Sequence, residues 1–180
     1  MKILLHTCCA PCTIYPLERL REKGFAVMGF FYRHNIHPFT ECMQREAALR
    51  EYAQSMDMKV IYQQEYDLEG FLRKMVFREA ERCRICYYER LFTTAKLAKK
   101  GEFDSFSSTL LFSRHQNHAL IADIGAAAGK AAGIPFHYED FRTGWETGRD
   151  KSIEMQMYRQ QYCGCIYSEK ERYYPQRKNP

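Results

Sequence analysis

Apolar runs of strand length alternate with helical patterns along the whole of this 180-residue chain. That alternation leaves few folds open. Lys2–His6 reads as a short buried strand, and the aromatic-rich run Phe25–Tyr32 as a central one; Lys59–Gln63, Phe103–Ser108 and Ile134–Tyr138 read as three more. Helices are expected over Thr13–Lys23, with Ile14, Leu17 and Leu20 inward, and from an N-cap at Thr40 to about Met56. Further helical spacing runs from Leu68 to Lys100 with an interruption near Cys83, over Asn117–Ala132 up to Gly133, and over Ser152–Gln161. In the second half of the Leu68–Lys100 stretch, Tyr88, Leu91, Phe92, Ala95 and Ala98 are expected to face the core. The whole predicts an α/β fold: a mostly parallel sheet of about five strands with helices on both faces. Ligands of such sheets bind beyond the carboxyl ends of the strands. Thr7-Cys-Cys-Ala-Pro-Cys12 follows the first strand and occupies that place.

The length suits one α/β domain over residues 1–180 with a hydrophobic core, ending in a short basic tail from about Tyr174 to Pro180. Met1-Lys-Ile-Leu-Leu-His6 is too short an apolar run for a signal peptide, and no run approaches the length of a membrane span. The expected location is therefore the cytoplasm. In that reducing compartment the eight cysteines point to metal binding or redox chemistry rather than structural disulfides.

Seven of them fall into three groups: Cys8, Cys9 and Cys12; Cys83 and Cys86; Cys163 and Cys165. Cys42 stands alone and reads as a core residue, since a free cysteine buries like a small hydrophobe. The first group lies between a strand and a helix N-terminus, where unpaired N–H groups and the helix dipole stabilise thiolates. Cys83-Arg-Ile-Cys86 has the spacing of zinc, iron–sulfur or dithiol chemistry and does not choose among them. Together with Cys8 and Cys9 it offers four thiolates, the number that a 4Fe–4S cluster requires. Cys163-Gly-Cys165 is a dithiol with a glycine between its members; a disulfide there is strained and exchanges readily, so the pair reads as redox-active, with metal ligation as the alternative.

The net charge is +5, but residues 71–100 alone carry nine Lys/Arg against Glu79, Glu81 and Glu89. A basic segment of that density fits a phosphate backbone as well as it fits a solvated helix face. Three functions remain open on these grounds. One is a metal-dependent reductase. Another is a thiol–disulfide oxidoreductase built on Cys9-Ala-Pro-Cys12, which leaves the other cysteines idle. The third is a zinc-stabilised RNA-binding module without catalysis.

Six stretches carry a resemblance. His6-Thr-Cys-Cys-Ala-Pro-Cys12, Asn35-Ile-His-Pro38, Arg82-Cys-Arg-Ile-Cys-Tyr-Tyr-Glu-Arg-Leu91, Ser113-Arg-His-Gln-Asn-His118, Asp140-Phe-Arg142 and Tyr158-Arg-Gln-Gln-Tyr-Cys-Gly-Cys165 follow one another in an order that resembles the QueH family. The likeness covers nearly the whole chain. It implies a Rossmann-like unit similar to the adenine-nucleotide α-hydrolase (HUP) group. Cysteines stand where a nucleotide-binding member of that group has a Gly-rich loop, so the group's nucleotide chemistry is not carried over.

The resemblance also implies an activity: reduction of epoxyqueuosine to queuosine in the anticodon loop of tRNA. Cys8, Cys9, Cys83 and Cys86 are then the ligands of a 4Fe–4S cluster. Cys12 is the candidate ligand of an additional mononuclear iron or zinc ion, Cys163 and Cys165 form the redox pair, and no cobalamin is used. The electron donor stays unidentified. A proton must reach the leaving oxygen, and His6, His118, Tyr162 and Asp140 are the candidate acids. Single-stranded bases are recognised by stacking on aromatics, for which Tyr87, Tyr88, Tyr158, Tyr162 and Trp145 are placed near the cysteine motifs. Arg84 and Arg90, with Tyr87, are the expected tRNA contacts.

Overall fold

The structure, a computed structural model, describes residues 1–174. The chain runs β1 (Lys2–Thr7), α1 (Ala10–Glu22), β2 (Ala26–Phe31), α2 (Phe39–Ser55), β3 (Val60–Tyr62), α3 (Leu68–Met75), α4 (Arg82–Lys100), β4 (Ser105–Ser108), α5 (His118–Ala132), α6 (Trp145–Glu154) and α7 (Ile166–Tyr173). The strands form one parallel sheet in the order β3-β2-β1-β4. Lys2 of β1 pairs with Ala26 of β2, and Ile3 with Ser105 of β4. Ile3, Leu4 and Leu5 are fully buried, as expected of a central strand covered on both faces. One apolar cluster joins them to Leu91, Ala95 and Ala98 of α4 and Ile121 and Ala128 of α5. A second gathers Ile14 and Leu17 of α1, Leu49 and Ala53 of α2, and Phe31. Cys42 is buried in that second cluster.

The sheet has four strands, not five. Around Ile134–Tyr138 pairing shrinks to one parallel bridge between Phe106 and Phe136, with Phe106 N–H donating to Pro135 O and His137 N–H to Phe106 O. Pro135 has no N–H with which to extend the ladder. The last helices also differ. A helix expected over 152–161 lies at 145–154, followed by irregular chain and then by α7, which the sequence pattern did not suggest. Gly148 lowers the helical propensity of the observed segment. It is nevertheless required by packing, because a Cβ there would lie 2.7 Å from the Phe112 ring. On α4, Tyr87 and not Tyr88 faces inward; Tyr88 is exposed and stacks on Phe92, ring centroids 4.0 Å apart.

Candidate active site

The strand order places β1 next to β4, so the chain switches its direction of growth between those two strands. A crevice opens beyond the carboxyl ends at such a point. Cys8 and Cys9 leave β1 into it, and Thr109 follows β4. The Cys8 N–H donates to Thr109 Oγ1 (3.2 Å), whose hydroxyl donates to Cys8 Sγ (3.4 Å). Cys9 is the N-cap of α1: its sulfur accepts the Cys12 N–H at 3.3 Å, at the positive end of the helix. The helix thus starts at Ala10, three residues before the apolar periodicity announces it. Gln160 Nε2 bridges two sulfurs, donating to Cys9 Sγ (2.8 Å) and Cys12 Sγ (3.3 Å). The sulfurs of Cys8, Cys9 and Cys12 all lie within 4.8 Å of one another, close enough to hold one metal ion.

The other two groups come to the same place. Cys83 and Cys86 sit in the opening turns of α4, and Cys86 Sγ accepts from Asn35 Nδ2 (3.2 Å) and Arg90 Nε (3.3 Å). Cys163 and Cys165 precede α7 with their sulfurs 4.0 Å apart. Their loop is tied down from below. Arg45 donates to the carbonyls of Tyr162 (2.9 Å) and Cys163 (3.1 Å) and pairs with Glu41 at 2.6 Å, while the His37 N–H donates to Gly164 O (2.7 Å). Cys8, Cys12, Cys83, Cys163 and Cys165 line one cavity of about 900 Å³; Cys9 is buried beside Cys8 and Cys12, and Cys86 is half-buried one helical turn from Cys83.

Each dense sulfur group has one member ready to ionise first. Hydrogen bonds from Cys12 and Cys9 hold the Cys8 thiol well below its ordinary value. Burial pushes Cys9 up, and the hydrogen bond with Cys8 pushes Cys12 up. In the third group a hydrogen bond from Cys165 brings Cys163 down to about 5 and drives Cys165 up. Cys83 and Cys86 are both raised by burial, against the pull of neighbouring arginines. Soft sulfur donors in this number and proximity suit a thiophilic metal centre.

Comparison with known proteins decides the family. The family model described as epoxyqueuosine reductase QueH matches residues 3–171. The chain belongs to the epoxyqueuosine reductase QueH family. It is 39% identical over 172 residues to the QueH of Dehalococcoides mccartyi, covering 96% of this chain and 94% of that one. With the QueH of Thermotoga maritima it shares 34% over 180 residues, 94% of this chain and 91% of the relative. The fold is similar to a solved structure of a predicted subunit of tRNA methyltransferase from Methanocaldococcus jannaschii (TM-score 0.56, 12% identity, 86% of this chain and 76% of that chain).

Within this QueH fold the other expected site residues are scattered. Arg84 is exposed at the cavity, beside Glu81. Arg90 is a correction: it is buried, and its donors turn toward Cys86, His6 and Asn35, so it offers nothing to a phosphate. Tyr87 lines the cavity but is buried, its hydroxyl donating to Gln116 Oε1 (2.6 Å) and accepting the Asn117 N–H (3.2 Å). His6 is fully buried between Ser108 and Arg90, and burial lowers its pKa to about 3, so it stays neutral and lacks the acidic proton of an imidazolium. Asp140 caps the turn before α6; the hydrogen bond from Arg142 lowers it to about 2, and with His118 it lies outside the cavity lining. Trp145 packs under Arg114 (4.3 Å), also off the cavity, and Tyr158 donates to Glu41. Of the four candidate acids only Tyr162 reaches the cavity, and its hydroxyl donates to His37 O. Sequence reasoning missed Asn35, Arg45 and Gln160 as partners of the cysteine groups. Arg45 stands four residues after Glu41, which in a sequence reads as an ordinary surface pair.

No helix among the described residues is long and apolar enough to cross a membrane.

Proposed function

We propose that this chain reduces epoxyqueuosine in tRNA to queuosine, in the cytoplasm, with a 4Fe–4S cluster held by Cys8, Cys9, Cys83 and Cys86. One observation carries the reading: cysteines from the start, middle and end of the chain converge on one cavity at the sheet's switch point. A structural zinc site needs four ligands, and five cysteines line this cavity, with Cys9 beside two of them. Cys12, within 4.8 Å of Cys8 and Cys9, is the further ligand for a mononuclear iron or zinc ion. When bound, the iron–sulfur group supplies electrons and Lewis acidity toward the epoxide oxygen.

The residues of the chain account for the rest. Opening the epoxide to an alkene releases its oxygen as water and consumes two electrons and two protons. Oxidation of the Cys163 thiolate and the Cys165 thiol to one disulfide releases two electrons and one proton, so the pair supplies the electrons of one turnover, water supplies the second proton, and an external reductant must restore the pair. The Arg45 and His37 contacts hold both sulfurs at the cavity. Tyr162 and Cys165, whose thiol the hydrogen bond with Cys163 drives up, are the groups that keep a proton there. Exposed Arg84 at the rim meets the anionic backbone of the RNA.

The test is anaerobic purification. Brown protein with about four irons per chain is expected, and Cys83→Ala should lose both iron and epoxide reduction. Full iron loading and normal turnover in that variant rule the ligand assignment out. Colourless protein holding zinc favours an RNA-binding module instead.

A further inference from the structure

Arg90 is 2% exposed. Its Nε donates to Cys86 Sγ (3.3 Å), its Nη2 to Asn35 O (3.1 Å), and its Nη1 lies 3.3 Å from His6 Nε2. Because that histidine nitrogen faces a guanidinium donor, it acts as the acceptor. The ring hydrogen then sits on Nδ1, 2.9 Å from Ser108 Oγ, and the imidazole is neutral. Arg45, also buried, pairs with Glu41 at 2.6 Å, and Glu89, one residue from Arg90 in sequence, pairs with Lys74 on the outer side. Among the described residues no carboxylate pairs with Arg90.

A buried guanidinium without an anion is costly, and such charges are found paired. The acidic group in contact with Arg90 is a sulfur, that of Cys86. Protonated thiols would leave the guanidinium uncompensated. A thiol bound to a metal is deprotonated outright. The arrangement is electrostatically complete only when the cavity sulfurs carry negative charge.

We propose that Arg90 is the counter-charge of the metal centre: a positioning residue that holds Cys86 as a thiolate ligand and raises the reduction potential of the iron–sulfur group. The inference rests on the cluster reading above. One electron entering the centre adds one negative charge, and a cation in contact with a ligand sulfur in a poorly hydrated site favours that reduced form. The forked guanidinium also meets three different acceptors at once, which an ammonium cannot do in the same geometry. Among the described residues Arg90 is the one cation in contact with a cluster sulfur.

The experiment is a redox titration followed by electron paramagnetic resonance on anaerobically reconstituted protein, wild type beside Arg90→Lys and Arg90→Gln. Arg90→Lys should titrate near the wild type. Arg90→Gln should shift the equilibrium toward the oxidised form by at least about tenfold, which is about 59 mV for one electron. Equal potentials in wild type and Arg90→Gln overturn the proposal, as does a lysine variant that titrates with the glutamine one. If Arg90→Gln takes up no iron, uptake by Arg90→Lys supports the role of charge, and loss of uptake in both variants overturns it in favour of hydrogen-bond shape. Wild-type protein without a four-iron signal is a different failure, that of the cluster reading.

Discussion

Cys163 and Cys83 both line the cavity, yet their removal should cost different things. Serine at 163 leaves the four proposed ligands intact. Cys163→Ser is therefore expected to retain iron and to lose multiple turnover, because no disulfide can form to supply the two electrons of each turnover. Metal analysis beside single- and multiple-turnover rates in one preparation checks this, and a parallel loss of iron would move the pair into the metal site. His37 gives a pH prediction at the same scale. Its Nε2–H donates to His34 O, and its Nδ1 is buried without a partner. A proton at Nδ1 would find no acceptor, and burial lowers the pKa to about 4 from 6.5. Above pH 6.5 both folded and unfolded chains are neutral at this residue. Between there and about 4 only the unfolded chain binds the proton. Stability should thus fall with pH through that window, by about 1.4 kcal/mol per unit from this one group, and no further below it. Urea unfolding across a pH series should show a slope shallower by one proton in His37→Gln; identical slopes would remove His37 from the account.

The loop that carries Cys163 and Cys165 depends on its glycine. Gly164 has φ +131, and a Cβ there would lie 3.2 Å from Asn35 O and 3.3 Å from Arg45 Nη1. That backbone region is essentially glycine's alone, and another residue costs on the order of 1–3 kcal/mol. Gly164→Ala is expected to lower Tm by about 2–4 °C per kcal/mol lost. It should also slow oxidation of the dithiol, since the displaced residue lies between its two members. A variant with unchanged melting and unchanged disulfide formation would show that the loop has room to spare. The closeness of the two thiols was legible in the sequence, because a single residue separates them. The clamp beneath them was not: Arg45 and Glu41 are far from Cys163 in the chain and meet it only after folding. The same holds among the elements. β1, β2 and α5 follow from local patterning, α5 with its N-cap at Asn117 and its left-handed Gly133. The fifth strand failed because one proline interrupts the ladder. Helix α6 was missed because tertiary packing on Tyr15 and Phe112, through Gly144 and Gly148, outweighs weak local propensity.

At the scale of the whole molecule, the basic segment that seemed uniform in the sequence divides in space. Arg84 stands at the cavity, whereas Lys99 and Lys100 close a helix of 19 residues. At 1.5 Å per residue they are roughly 20 Å from it. Arg90 is inside, and Lys74, Arg82 and Arg84 have acidic neighbours in Glu89, Glu171 and Glu81. The bond between Arg84 and Glu81 joins two highly exposed side chains, so it is weak and can be exchanged for a phosphate. An RNA whose modified base enters the cavity must pass its backbone over this rim, not over the far end of α4. Arg84→Glu should therefore weaken tRNA binding and lower the slope of log affinity against log salt by about one. Lys99→Glu with Lys100→Glu changes more charge, and should leave both quantities nearly unchanged if position governs. Affinities measured for the three proteins across one salt series decide between the local and the diffuse picture. A larger loss in the double lysine variant would mean that the RNA follows the length of α4 and that net charge, rather than the rim, recruits it.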